Sequence, residues 1–164
     1  MIRTVRSLCL ACLVTCLAAC DPDGNPAGMD APDAPTSEWI VVEELSVPVS
    51  SAGVNSVREL TAGVAYRLRA TGTYTAALDT LGDAEYTGFN SGKPEDTLGN
   101  VDVGLAVNDT IVDGTRAIKW GPYTETHVYE IDFVGTGVPI IAQLHDTTYA
   151  NNVGSLTLTI LKRR

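Results

Sequence analysis

The densest set of hard oxygen donors in this chain is His145-Asp146-Thr147-Thr148-Tyr149-Ala150-Asn151-Asn152-Val153-Gly154. A carboxylate, threonine carbonyls and two adjacent carboxamides fall within seven residues there, from Asp146 to Asn152. Calcium takes about 6–8 oxygens of these kinds, from carboxylates, amides and backbone carbonyls. The stretch therefore has the chemistry of a calcium loop. Asp, Asn and Gly are also the usual residues of tight turns, because they tolerate left-handed backbone and bond their own main chain. A self-bonded turn is the alternative. A second cluster, Asp79-Thr80-Leu81-Gly82-Asp83-Ala84-Glu85-Tyr86, offers further carboxylates at Asp83 and Glu85. Tyr86 adds an aromatic face of the kind that stacks on a sugar. A solvated acidic loop is the alternative there. Asn108-Asp109-Thr110 has the form of a glycosylation acceptor but reads more simply as a turn.

Catalytic arrangements are scarce. The chain has two histidines, His127 and His145, and His127 falls in phase with Tyr129 and Ile131, as a core or edge residue would. There is no G-x-S-x-G elbow, no H-E-x-x-H helix and no phosphate-cradling loop. Asp83, Glu85 and Asp146 are the carboxylates that could converge for glycoside hydrolysis, but nothing in their spacing favours it. The expectation is a protein that is not an enzyme.

The elements that must position these loops are strands. From Trp39 onward Gly and Pro punctuate the chain, and apolar residues alternate with polar ones. Tyr66, Leu68 and Ala70 alternate with Arg67 and Arg69; Leu156, Leu158 and Ile160 alternate with Thr157 and Thr159. Period two with one apolar face marks half-buried antiparallel strands. Strands are expected near 39–49, 64–75, 101–107, 115–120, 126–134, 138–145 and 154–162. Seven or eight short strands with turn signals between them predict an all-β, antiparallel β-sandwich. The irregular stretch from Ala76 to Asn100 is longer than a simple connector, and such loops tend to be functional or mobile.

The N-terminus is of a different kind. Arg3 and Arg6 precede an apolar run from Leu8 to Leu17, too short for a membrane span, which needs about 20 residues. A basic start, a short apolar centre and small residues at its end describe an export signal over residues 1–19. Leu17-Ala18-Ala19-Cys20 resembles the lipobox of bacterial lipoproteins. That resemblance implies that Cys20 is acylated and becomes the first residue of the processed chain, a membrane partner through lipid and a location outside the cytoplasm. Asp21 resembles an inner-membrane retention signal of some Gram-negative bacteria, and the leaflet stays open. All four cysteines lie at or before Cys20, so the remainder has no disulfide and no thiolate chemistry. Residues 20–37 combine Cys20 with a stretch holding four of the eight prolines and four aspartates, the composition of a disordered tether. Residues 38–164 remain as one domain of ordinary size. Without the signal, 9 Lys and Arg stand against 20 Asp and Glu, a formal charge of −11. That argues against nucleic acid and against docking on anionic lipid through a basic face.

The domain carries a second resemblance. Thr148-Tyr149-Ala150-Asn151-Asn152-Val153-Gly154-Ser155-Leu156-Thr157-Leu158 is similar to the calcium loop and last strand of the small galactose-binding bacterial lectins of PA-IL type. Val49, Val54, Ser56, the run Leu60-Thr61-Ala62-Gly63, and Tyr66-x-Leu68-x-Ala70-x-Gly72-x-Tyr74 resemble the opening of that fold. Trp120 and the strand around Tyr129 resemble its middle. The resemblance covers most of residues 39–162. It implies a jelly-roll-like sandwich holding one calcium, which coordinates sugar hydroxyls directly. It implies side-chain oxygens from Asn151 and Asn152, a carbonyl from Thr148, a further carbonyl near Tyr74, and a carboxylate at Asp146. The Asp146–Asn151 stretch is two residues shorter than the lectin's, which leaves Asp83 as a substitute carboxylate. Glu85, Tyr86 and Tyr149 would face the sugar. A D-A-E-Y motif with a later W-G segment also resembles a broader group of secreted bacterial domains without an established ligand. The alternative to glycan binding is a non-catalytic envelope module, structural or protein-binding, on the same fold.

Overall fold

A computed structural model describes residues 38–99, 101–108 and 115–164. The signal segment, Cys20 and the tether lie outside the described residues. Nine strands form among the described residues: β1 (Trp39–Pro48), β2 (Val54–Glu59), β3 (Ala65–Thr71), β4 (Tyr74–Ala77), β5 (Thr80–Gly82), β6 (Gly104–Val107), β7 (Val128–Val134), β8 (Pro139–His145) and β9 (Ser155–Arg163). One sheet has the order β1-β9-β3-β7, a second β2-β8-β6, and β4 and β5 form a separate hairpin. Every pairing is antiparallel. The two larger sheets enclose a common core, so the chain is an all-β sandwich.

The alternation read from the sequence sets which side chains enter that core. Across the first sheet Leu45 pairs Leu158, Ala70 pairs Leu158 from the other side, and Leu68 sits between Ile160 and Ile131. The second sheet contributes Leu105 and Val107 from β6 and Ile140, Ala142 and Leu144 from β8. Leu68, Leu105, Ile140, Leu158 and Ile160 are fully buried. Burial of a side chain of this size contributes about 1.5–3 kcal/mol. Truncating one to Ala costs about 2–5 kcal/mol, because a cavity remains.

Several boundaries differ from the pattern reading. Residues 64–75 are not one strand: Gly72, at φ 101°, ends β3 before β4 begins. Residues 101–107 are strand only from Gly104. Residues 115–120 form no strand, because Arg116 and Trp120 turn inward to polar partners described below. β2 was not legible, since Val57 and Val54 are its only apolar residues and Val57 is exposed. The described part of the long stretch, residues 76–99, is built from the end of β4, β5 and a 3-10 turn at Phe89–Ser91, and Asn100 lies outside the described residues.

A bulge in β1 has a specific use. The register against β9 shifts between Val41 and Glu43, and after the bulge Glu43 alternates in phase with the buried Leu45 and Val47. From there its carboxylate crosses to the other sheet and accepts the N–H groups of Val57 and Arg58, at 2.7 and 3.0 Å. Strand β6 is closed differently. Its Leu105 N–H donates to the Ala84 carbonyl at 2.9 Å, and its carbonyl accepts Trp120 Nε1 at 2.8 Å.

Candidate functional site

The Asp146–Asn152 loop links β8 to β9. Asp146 Oδ1 accepts the N–H groups of Thr147 and Thr148 at 2.6 and 3.1 Å, so the carboxylate winds the loop around itself. Its other oxygen, Oδ2, accepts Asn152 Nδ2 at 2.9 Å. Tyr149 lies beneath: its hydroxyl donates to the Leu144 carbonyl at 3.1 Å and accepts the Asp146 N–H at 3.3 Å. A short 3-10 turn at Tyr149–Asn151 carries the chain to Asn152. Asn151 is exposed. Asn152 is half-buried, and its Oδ1 is buried without a hydrogen-bond partner.

Tyr74 reaches this loop from β4. The N–H and carbonyl of Thr75 exchange hydrogen bonds with Val153, at 3.0 and 2.9 Å, which lays the Tyr74 backbone alongside Asn152–Gly154. The space is close: a Cβ at Gly154 would lie 3.5 Å from Tyr74 Cβ. The Tyr74 ring packs on Gly82, and its hydroxyl is buried without a partner. Burial pushes that hydroxyl's pKa well up, and the charge of Asp146 adds to the effect. Tyr74 is thus a neighbour of the Asp146–Asn152 loop in the fold, although 72 residues separate it from Asp146 in the sequence. Beside them a groove of about 540 Å³ runs along the outward side of β8, lined by Ala106, Pro139, Ile141, His145, Asp146 and Tyr149.

The acidic cluster from the long loop sits elsewhere in character. Asp83 and Glu85 are not surface carboxylates. Asp83 is fully buried and accepts four hydrogen bonds: Glu85 N–H and Tyr86 N–H on Oδ1, Tyr129 Oη and His127 Nδ1 on Oδ2, all between 2.7 and 2.9 Å. Burial, and then the bond donated to Asp83, raises the Tyr129 hydroxyl far above its ordinary pKa. Glu85 Oε2 accepts the Trp120 N–H at 2.9 Å and faces Arg116 Nη1 at 3.1 Å. Both Asp83 oxygens and Glu85 Oε2 are therefore taken by the protein, Glu85 Oε1 lies 3.8 Å from Lys119 Nζ, and neither carboxylate lines the groove. Asp83 holds no spare oxygen to replace Asp146. The Tyr86 hydroxyl donates to the Gly121 carbonyl at 3.1 Å, and its ring meets Tyr123 edge-on at 5.6 Å.

Sequence reasoning did not find the centre of that interior network, Arg116. Its side chain has no solvent exposure. Asp102 Oδ1 accepts Arg116 Nε and Nη2, at 3.1 and 2.7 Å, and Lys119 Nζ contacts Asp102 Oδ2 at 2.7 Å. Burial acts to raise the Asp102 pKa, but the bonds from Lys119 and Arg116 outweigh it and hold the carboxyl below its ordinary value. His127 has a left-handed backbone, φ 51°, and its ring lies 4.3 Å from that of Phe89.

Among the described residues no group of three or more His, Cys, Asp and Glu side chains converges as a metal site. A calcium loop of amide and carbonyl oxygens would not be of that composition. In comparison with known proteins, no family model, no curated protein and no solved structure matches this chain.

Proposed function

We propose that this chain is a lipid-anchored protein of the bacterial cell envelope, held through Cys20, whose sandwich binds carbohydrate through a calcium ion at the Asp146–Asn152 loop. One observation carries the reading: the buried Asn152 Oδ1 lacks a partner beside the Asp146 carboxylate. Rotating the Asn152 carboxamide by half a turn exchanges Nδ2 for Oδ1 and sets two oxygens about 2.9 Å apart. Two oxygens that share a calcium at about 2.3–2.6 Å stand at such a separation. Asp146 and Asn152 therefore fit the ion by side chain; the lectin resemblance adds the exposed Asn151 by side chain and the Thr148 and Tyr74 backbone by carbonyl.

Calcium, when bound, would supply two coordination positions to vicinal hydroxyls of a sugar. The chain's own residues do the rest. The Thr147 and Thr148 N–H groups fix the Asp146 carboxylate, and Tyr149 braces the loop from below. The groove beside the loop, with Pro139 and Ile141 in its wall, offers apolar surface to the carbon face of a ring. The loop is also placed for presentation. Strand β1 starts at Trp39 opposite Arg163 and ends at Pro48 opposite Ser155, which directly follows the loop. The nine residues of β9 span about 26 Å at 3.3 Å per step. The loop thus lies at the end of the sandwich opposite the entry of the chain.

A second reading has its own observation. Asp146 already accepts three N–H groups, which is what a self-sufficient turn requires. On that reading the domain is a structural or protein-binding envelope module with no sugar ligand. Calcium titration by calorimetry on residues 21–164 separates the two, run beside the Asn151→Ala/Asn152→Ala variant. Saturable binding abolished in the variant supports the calcium site and leads to a glycan array with and without chelator. No heat at millimolar calcium removes the glycan mechanism and leaves the second reading.

A further inference from the structure

The end of the sandwich where the chain enters β1 gathers cations in a protein that is otherwise acidic. The guanidinium groups of Arg67 and Arg163 lie 4.5 and 5.2 Å from the centroid of the Trp39 ring. The Arg164 N–H donates to the Glu38 carbonyl at 3.0 Å, which keeps Lys162, Arg163 and Arg164 in register beside the entry point. Arg67 and Arg69 are bridged to Glu130 and Asp132. Lys162, Arg163 and Arg164 have no carboxylate partner among the described residues, and the two arginines are exposed. Trp39 is half-buried.

We infer that this pole docks on the anionic phospholipid headgroups of the membrane in which Cys20 is anchored. The inference rests on the lipid-anchor reading above. Seventeen residues, 21–37, separate Cys20 from Glu38, so their contour holds the pole within about 60 Å of the anchor. A tether of that length gives an effective concentration on the order of millimolar, at which weak contacts are occupied. Unpaired guanidinium groups bind phosphate through paired N–H donors, and tryptophan favours the headgroup level of a bilayer. The charge distribution fixes the orientation. At the pole Asp132 is bridged to Arg67 and the exposed Glu38 offsets one of the three unpaired cations, which leaves the pole net positive while the Asp146 loop points away from it.

The test exploits the cysteine count. A chain processed at Cys20 has a single thiol, so residues 20–164 couple through that thiol to maleimide lipid in vesicles. Quenching by brominated lipid then reads Trp39, because the other tryptophan, Trp120, is buried. In vesicles containing phosphatidylglycerol we expect quenching that falls about fivefold when salt is raised from 50 to 500 mM, because the lipid charge is screened within a Debye length. The Lys162→Gln/Arg163→Gln/Arg164→Gln variant should lose it equally, and phosphatidylcholine vesicles should show none. Quenching that is absent in both lipids, or the same in both, or unchanged in the variant, overturns the proposal. Palmitate labelling in cells, compared with Cys20→Ser, checks the anchor separately. An unlabelled wild type overturns the anchor and the proposal's premise, whereas label without quenching overturns the docking alone.

Discussion

Arg116 and Asp102 meet side-on in the interior, with Nε and Nη2 of the guanidinium both on Oδ1 of the carboxylate and the Arg116 N–H on Oδ2 at 2.7 Å. Arg116 also faces Glu85, and through these contacts it ties the irregular 115–120 stretch to the long loop and to β6.

Breaking this pair from one side leaves a buried charge without its partner, which costs about 3–5 kcal/mol. Asp102→Ala should lower the unfolding free energy extrapolated from urea curves by an amount of that order. Replacing the whole set with apolar residues, as in Arg116→Met/Asp102→Leu/Glu85→Leu, should recover part of the loss, the rest persisting because the backbone N–H groups at 116 and 120 lose their acceptors. A single Asp102→Ala variant as stable as wild type would show that the pair is not holding the fold.

Stability should fall on both sides of a neutral plateau. The folded Asp102 carboxyl titrates below its ordinary value of 3.8, so its stabilisation is complete above pH about 4 and decays as pH falls further. Tyr74 and Tyr129 titrate above their ordinary value of 10.0 in the fold. Below that pH both states hold these protons. Above it the unfolded chain releases protons that the fold keeps, so stability drops as pH rises. Urea midpoints measured from pH 3 to 11 test both limbs.

The two tyrosines should respond differently to removal of the hydroxyl. Tyr129→Phe takes a donor from the buried Asp83 and should cost about 1.5–3 kcal/mol at neutral pH. Tyr74→Phe removes a buried hydroxyl that has no partner, so it should be neutral or stabilising and should flatten the alkaline limb. Thermal unfolding of both variants at pH 7 and 10.5 decides this.

Asp146→Ala should release the Thr147 and Thr148 N–H groups and cost about 1–3 kcal/mol by loss of charged hydrogen bonds, apart from any effect on calcium. If calcium binds as proposed, the wild type gains thermal stability with added calcium and this variant does not. Equal gains in both would place the ion elsewhere.

Gly104 is where β6 passes closest to the interior network. A Cβ there would lie 2.6 Å from the Ala84 carbonyl oxygen and 2.7 Å from Arg116 Cζ, on a backbone with φ 155°. Gly104→Ala should cost more than Gly63→Ala, which has a left-handed φ but open space around it. The expected difference is about 1–3 kcal/mol, the usual cost of overpacking, read from paired urea curves.

The strands of the larger sheet were legible because their side chains alternate cleanly, as in Tyr66–Ala70 and Leu156–Ile160. Period two is written by the core itself. β2 and β5 left little mark, since one has an exposed Val57 on its outer side and the other is three residues long. The neighbours Asp146, Thr148 and Asn152 were found because they are close in sequence. Asp83 and Glu85 were found as acids and misplaced as surface groups, for a buried carboxylate looks in sequence like an exposed one. What distinguishes them is a partner at a distance: Arg116 is 31 residues from Glu85, and Tyr129 is 46 from Asp83. No local spacing encodes such a pair.

The Glu43 carboxylate that reaches β2 bears on how copies of this protein behave when crowded. An unsatisfied row of strand N–H groups is a template for another chain, and edge-to-edge growth of sheets begins there. At Val57 and Arg58 those donors are already held by a carboxylate from the opposite sheet. An incoming strand would have to displace a charge and leave it facing backbone carbonyls. Held by Glu43 in this way, the β2 edge is guarded against strand-by-strand polymerisation.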